Sequence, residues 1–226
     1  QHTQDQQYVC KTYGLAQDLV HVCHSGLAPE FLERPLAPMT HERMQRMLFV
    51  GQNAFYKGVH CLGEIVTSLL REFPQLSMTW VCNAADHENA LSHFAVDIRH
   101  RVQMIGWGTQ QQLIDTLDQH GIFVFPTLAE GFAKAPLEAM SRGIVVVASD
   151  CCGMRDYVKP DTGLLCGVGD VQGFVKSITN VISPENSTPN SKQIAYEASS
   201  FTWNASANGL LQFFSGNQPR CSKTIL

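Results

Sequence analysis

Glu130 and Glu138 carry the first legible chemistry in this chain. They stand seven residues apart in Phe123-Val-Phe-Pro-Thr-Leu-Ala-Glu-Gly-Phe-Ala-Lys-Ala-Pro-Leu-Glu138. Carboxylates accept hydrogen bonds from sugar hydroxyls, so such a pair can hold a carbohydrate without a metal. Glutamates here also suit a solvated loop and the favourable end of a helix dipole. The elements around them decide. Gly121-Ile-Phe-Val-Phe125 is an apolar run of buried-strand length. Pro126 ends it, because a proline cannot donate to a sheet ladder. Glu130-Gly131 forms a loop tip. Ala135-Pro-Leu-Glu-Ala-Met140 then starts a helix, with proline in the first turn where no amide donor is needed and Glu138 in that same turn. Strand, glycine loop and helix start make an anion-friendly cradle at the carboxyl end of a sheet.

The 226 residues suit one large domain or one and a half ordinary ones. A formal charge of −4 with no basic run excludes nucleic acid as the principal partner. None of the eight cysteines forms a CxxC pair, so spacing predicts no metal site. Cys61, Cys82 and Cys166 lie in apolar segments and read as small core hydrophobes. Cys151-Cys152 read as thiols in a reducing compartment, with a vicinal disulfide as the alternative. Asn186-Ser-Thr and Asn204-Ala-Ser match the glycosylation pattern; with no signal peptide at Gln1-His-Thr-Gln they read as chance, and a cytoplasmic location is expected. No run reaches transmembrane length, although peripheral contact with a membrane is left open.

Along the chain, residues 1–7 read as frayed, 15–24 as a short strand and 33–45 as a linker marked by Pro35 and Pro38. Residues 46–51 are the first firm strand. A helix is predicted over 58–72 from Val59, Leu62, Ile65, Val66, Leu69 and Leu70. Strands follow at 76–82 and 101–106, separated by a helix over 86–100. Its His87, His93 and His100 read as surface or edge residues, since a zinc pair wants one-turn spacing. Thr109-Gln-Gln-Gln112 is a capping box. Ile144-Val-Val-Val-Ala148 reads as a strand buried on both faces. A helical turn at 153–157, a strand at 163–166 and helices at 171–182, 191–200 and 204–214 complete the chain. This alternation predicts an α/β fold, an open parallel sheet with helices on both faces.

The central stretch, with Gly143-Ile-Val-Val-Val-Ala-Ser-Asp150, Gly153-Met-Arg-Asp156 and Asp161-Thr-Gly-Leu-Leu165, resembles the signature of the retaining glycosyltransferases of family 4, which have the GT-B fold. The resemblance implies the Rossmann-like, donor-binding C-terminal domain of such an enzyme. Residues 1–45 would be a remnant of the interdomain crossover and linker, 46–215 the nucleotide-sugar-binding domain and 216–226 a tail. It implies a nucleotide diphosphate sugar as co-substrate, no other cofactor, no metal, and an N-terminal acceptor-binding domain in cis or in trans. The isolated domain is expected to be inactive. Two residues are assigned catalytic roles: Lys57 stabilises the leaving diphosphate and Glu130 holds the donor sugar. Glu138 holds the ribose. Gly51 and Gln52 border the diphosphate, with Gln52 where the family usually has arginine. Trp107 belongs to the turn framing the nucleobase. Gly131, Phe132, Ala133 and Lys134 face sugar or phosphate, and Leu137 is counted beside Glu138. The alternatives are a non-catalytic nucleotide-sugar-binding or partner-subunit module, which Gln52 favours, and half of a nucleotide-sugar epimerase.

Overall fold

In the computed structural model, which describes residues 2–183, 185 and 190–216, six strands form one sheet. They are β1 (Arg46–Val50), β2 (Ser77–Cys82), β3 (Val102–Gly106), β4 (Ile122–Phe125), β5 (Val145–Ser149) and β6 (Gly163–Cys166). Every pairing is parallel and the order is β3-β2-β1-β4-β5-β6. Parallel neighbours need crossovers that cover the sheet, so its central strands must be apolar on both faces. β4 and β5 are buried from end to end.

The helices are α1 (Thr3–Tyr13), α2 (Pro29–Glu33), α3 (His41–Met44), α4 (Val59–Glu72), α5 (His87–Ser92), α6 (Gln110–Leu117), α7 (Lys134–Ser141), α8 (Met154–Tyr157), α9 (Val171–Ile182), α10 (Ser191–Ser199) and α11 (Trp203–Gly216). The six apolar positions predicted for α4 are all buried. α6 starts on the predicted capping box, closed in both directions by Thr109 and Gln112. Right-handed crossovers put the helices after β1 and β4 on opposite faces, because the chain moves outward in opposite directions from those two strands. Their carboxyl ends therefore part, and a crevice opens between them.

Four local expectations are corrected. Residues 3–13 are not frayed. α1 is capped by His2, whose ring nitrogen accepts from the Asp5 amide, and by Gly14 in the left-handed region, and Asp156 accepts from the Thr3 amide at 3.0 Å. Residues 15–24 form no strand; they hold only a 3-10 turn at Gln17–Leu19, with one isolated bridge beyond it at Leu27–Thr202. Their partner is α11, where Ser206 Oγ donates to the His24 carbonyl and His21 stacks on Phe213. The linker contains α3, capped by Thr40. It is pinned by the buried Arg142, which donates to the carbonyls of Phe31, Arg34 and Pro35 and pairs with Asp118. The helix over 86–100 breaks into α5 and a 3-10 segment, Val96–Arg101. The break sits where the Ala95 amide donates to Thr67 and the His93 carbonyl crosses Gly63 so closely that a Cβ there would lie 2.3 Å away. His87 and His93 are half-buried and His100 is exposed.

Cys61, Cys82 and Cys166 are core residues, and Cys151 and Cys152 are free thiols. Asn204 lies in α11. Asn186 and residues 217–226 of the tail lie outside the described residues. Among the described residues, no helix is long and apolar enough to cross a membrane.

Candidate active site

Two loops meet at the mouth of the crevice, and Gly58 lets them meet. It has φ +68, and a Cβ there would stand 1.9 Å from the Pro126 carbonyl oxygen. A glycine is thus required both by conformation and by space. Leu128 N donates to the Tyr56 carbonyl at 2.8 Å, tying the β4–α7 loop to the β1–α4 loop. The Thr127 hydroxyl lies 3.0 Å from that same carbonyl and 3.2 Å from Glu130 Oε1. Behind them, Trp80 Nε1 donates to the Gly51 carbonyl at 2.8 Å and fixes the end of β1.

This frame brings Lys57 and Glu130 together although they are 73 residues apart, with Nζ and Oε1 at 2.5 Å. Both side chains are mostly sheltered, at 17% and 12% exposure, which makes the pair more than a solvated surface contact. Lys57 also lies over the rings of Tyr56 and Phe125. An ammonium has three donors, so Lys57 can keep Glu130 and still address an anion. Glu130 Oε2 has no protein partner among the described residues, so it can accept from a ligand.

Two chambers open on this frame. One, of about 490 Å³, is lined by Gln52, Tyr56, Lys57, Glu130, Phe132 and Ala133. The other, of about 390 Å³, is lined by Phe31, Val81, Ile105, Trp107, Thr109 and Gln112. Trp107, Leu113, Lys134 and Glu138 belong to both, so the chambers form one continuous trough with Glu138 at the junction. Burial raises the Glu138 carboxyl above the ordinary glutamate range, and the Lys134 charge partly offsets that. The α7 start is held by Tyr157, a buried phenol that donates to the Ala133 carbonyl at 2.8 Å and whose own titration burial pushes well upward. Among the described residues, no group of three or more His, Cys, Asp or Glu could hold a metal ion.

Of the predicted residues, Gly51, Gln52, Lys57, Trp107, Glu130, Phe132, Ala133, Lys134 and Glu138 line the trough. Gly131 is exposed at the loop tip, outside both linings. Leu137 is not brought to the site: it is fully buried, because one residue before Glu138 is about 100° around the helix and turns toward the sheet. Glu138 itself sits one residue deeper than expected, just past the first turn, since α7 starts at Lys134 with Ala133 as its cap. Phe132 is chiefly a packing residue, against Tyr157, His24 and Phe201. Gln52 is exposed, and its amide oxygen accepts from Tyr56 Oη at 3.2 Å. Phe31, Tyr56, Thr127 and Leu113 were not foreseen. Only Phe31 left a trace in the sequence, as an aromatic just ahead of the proline-marked linker.

Residues 44–183 match the family glycosyl transferases group 1. The chain belongs to that family. It is 28% identical over 153 residues to the lipopolysaccharide 1,6-galactosyltransferase of Salmonella typhimurium, covering 66% of this chain and 42% of that relative. It is 26% identical over 164 residues to an uncharacterized glycosyltransferase of Methanocaldococcus jannaschii, covering 67% and 41%. The fold of this group 1 glycosyltransferase chain is similar to that of the lipopolysaccharide outer core galactosyltransferase WaaB in its apo form. The TM-score is 0.82 at 21% identity, over 95% of this chain and 60% of that one. It is also similar to Anabaena Alr3699/HepE, solved in complex with UDP, at TM-score 0.74 and 16% identity over 96% and 63%. The neighbours are GT-B glycosyltransferases, and the six-stranded sheet is a Rossmann-like GT-B unit. The chain spans about two-fifths of the length of these curated relatives, 41% and 42%.

Proposed function

We propose that this chain is the donor-binding, C-terminal domain of a retaining, metal-independent glycosyltransferase of family 4. It takes a nucleotide diphosphate sugar, and an N-terminal domain in cis or in trans supplies the acceptor. The observation that carries the reading is the trough itself. A chamber under Trp107 that joins apolar walls to neutral amide and hydroxyl groups suits a base, a half-buried carboxylate at the junction suits a ribose, and the Lys57–Glu130 pair beyond it suits a diphosphate and a sugar. Trough, loops and switch point occur in the order that a ligand of base, ribose, diphosphate and sugar needs. Two neighbours of similar fold, HepE and TarM, were solved with UDP, which supports a nucleotide here.

In this account the nucleoside end anchors the donor and the charged end acts on it. Lys57 meets the charge that grows on the leaving diphosphate, in a sheltered place where such an interaction is stronger than in water. Glu130 Oε2 accepts from a hydroxyl of the donor sugar, and Thr127 and Lys57 hold its other oxygen. Gly51 and Gln52 border the phosphates, while Ala133 and Lys134 border the diphosphate-to-ribose stretch at the start of α7. The free thiols fit a cytoplasmic location. Alone, the domain binds donor and transfers nothing.

The test is calorimetry of the chain with UDP, UDP-glucose, UDP-galactose and GDP-mannose, with and without a chelator. Binding of at least one sugar nucleotide, unchanged by the chelator, is expected. Binding of none, or binding abolished by the chelator, contradicts the reading. A second reading, a non-catalytic nucleotide-sugar module, is favoured by Gln52, which brings no charge to the phosphate side. Transfer activity on supplying the N-terminal half separates the two.

A further inference from the structure

Cys151 and Cys152 join β5 to α8 and press against the loop that carries Glu130. Cys152 has φ +55, the one non-glycine residue with a positive φ among those described. Its Sγ accepts a hydrogen bond from the Glu130 amide at 3.2 Å. Cys151 Sγ lies 3.9 Å from the Thr127 carbonyl oxygen as donor, and the Thr127 hydroxyl touches the Glu130 carboxylate. Two sulfur atoms thus bridge the β5–α8 loop to the β4–α7 loop. That junction has no spare room: a Cβ on neighbouring Gly153 would lie 3.0 Å from the Phe132 ring. Both thiols are half-buried, unlike the enclosed Cys61, Cys82 and Cys166.

We propose that Cys152 is a covalent modification site for small disulfides, and that its capture releases the Glu130 loop. In the first step Cys152 Sγ attacks one sulfur of the reagent. A Cys152–S–S–R bond forms, the reagent's S–S bond breaks, and one RSH leaves with the proton. In the second, Cys151 Sγ attacks Cys152 Sγ, forming a Cys151–Cys152 disulfide and releasing a second RSH. Two cysteines are oxidised by two electrons and one reagent disulfide is reduced to two thiols. Cys152 is the first attacker because an N–H already addresses its sulfur. Burial, and the adjacent Cys152, push the Cys151 thiol up to about 12, so the second step lags and the mixed disulfide accumulates. Either product ties the sulfur that accepts from the Glu130 amide into a disulfide and puts new atoms, or a new ring, into a filled junction. The effect on donor binding rests on the proposed role of Glu130; the thiol chemistry does not.

The experiment uses the whole chain with Cys10, Cys23 and Cys221 replaced by serine, treated with 2,2′-dithiodipyridine. Peptide mass mapping locates the label, and hydrogen exchange follows the amides of residues 127–133. The expected result is a label on Cys152, or a 151–152 peptide lighter by two hydrogens, with exchange in 127–133 faster by at least tenfold. Cys152→Gly, which suits a positive φ, is expected to show no change on treatment. An unreacted Cys152, or a labelled Cys152 with unchanged exchange, overturns the proposal. A labelled and loosened loop that leaves the affinity for sugar nucleotides intact upholds the thiol site and counts instead against Glu130 as the sugar ligand.

Discussion

The chamber under Trp107 is walled by Phe31, Val81 and Ile105 together with the neutral polar Thr109, Gln110, Gln112 and Thr116, whereas the chamber beyond Glu138 holds the charged Lys57 and Glu130 beside Gln52. The first is made largely by strand ends and helix sides, elements that the core fixes. The second is made by two loops that are held by their own hydrogen bonds, Leu128 N to the Tyr56 carbonyl and Thr127 to Glu130. The difference teaches where each kind of binding energy comes from. An apolar wall needs only area and shape, so packing can supply it. A charged pair needs its partner at a set distance, so it needs a frame that cannot slide. The frame here is local: Gly58, Pro126, Thr127 and Tyr56 lie within two short loops.

The largest effect should come from breaking that frame. Gly58→Ala adds a Cβ 1.9 Å from a backbone oxygen at φ +68. It should destabilise the chain by more than about 1 kcal/mol and remove diphosphate binding, measured by denaturant titration and calorimetry. The nucleoside should still bind, because the chamber under Trp107 does not depend on this contact. Next comes Lys57→Ala. It should weaken binding of UDP by about 1.5–3 kcal/mol, the range for a hydrogen bond to a charged group, and leave uridine nearly unchanged. Equal losses for both ligands would merge the two chambers into one. Trp107→Ala should give the opposite pattern, a loss of about 1 kcal/mol shared equally by uridine and UDP.

A smaller effect separates the junction from both ends. Burial raises the Glu138 carboxyl above its ordinary 4.5, so the folded chain binds more protons than the unfolded chain in the window above that value. Stability contributed by this group therefore falls as pH rises through the window. Glu138→Gln should flatten that slope, seen by denaturation at several pH values, and raise stability slightly at neutral pH. A gain in stability paired with a loss of nucleotide affinity is the expected signature of a residue kept for binding.

These two chambers were unequally legible in the sequence. β1, β4, β5 and α4 could be read because burial on both faces, or on one helical stripe, leaves an unambiguous apolar pattern. Glu130 could be read because the loop residues around it, Pro126 and Gly131, are punctuation with a physical cause, whereas Lys57 was reached only through the family resemblance. The chamber under Trp107 could not. Phe31 reaches it through the Arg142 anchor on its own carbonyl and those of Arg34 and Pro35, and backbone acceptors leave no code in side chains. The misread strand at 15–24 has the same origin: it meets α11 through the His24 carbonyl and the His21 ring, contacts with residues nearly two hundred positions away in sequence. Leu137 was placed in the site by adjacency to Glu138, where helix geometry puts neighbours on different faces.

The division of labour along the trough rests on its two glutamates, and one measurement reaches it directly. Calorimetry of Glu130→Gln and Glu138→Gln with UDP and with the sugar nucleotide that the wild type binds compares four affinities. The account predicts that Glu138→Gln weakens both ligands, by about 1 kcal/mol each. It predicts that Glu130→Gln spares UDP and weakens only the intact sugar nucleotide, by a similar amount. Both variants should stay folded, since neither removes apolar core. If Glu130→Gln weakens UDP as much as Glu138→Gln does, or if neither variant changes any affinity, the two-chamber account is wrong.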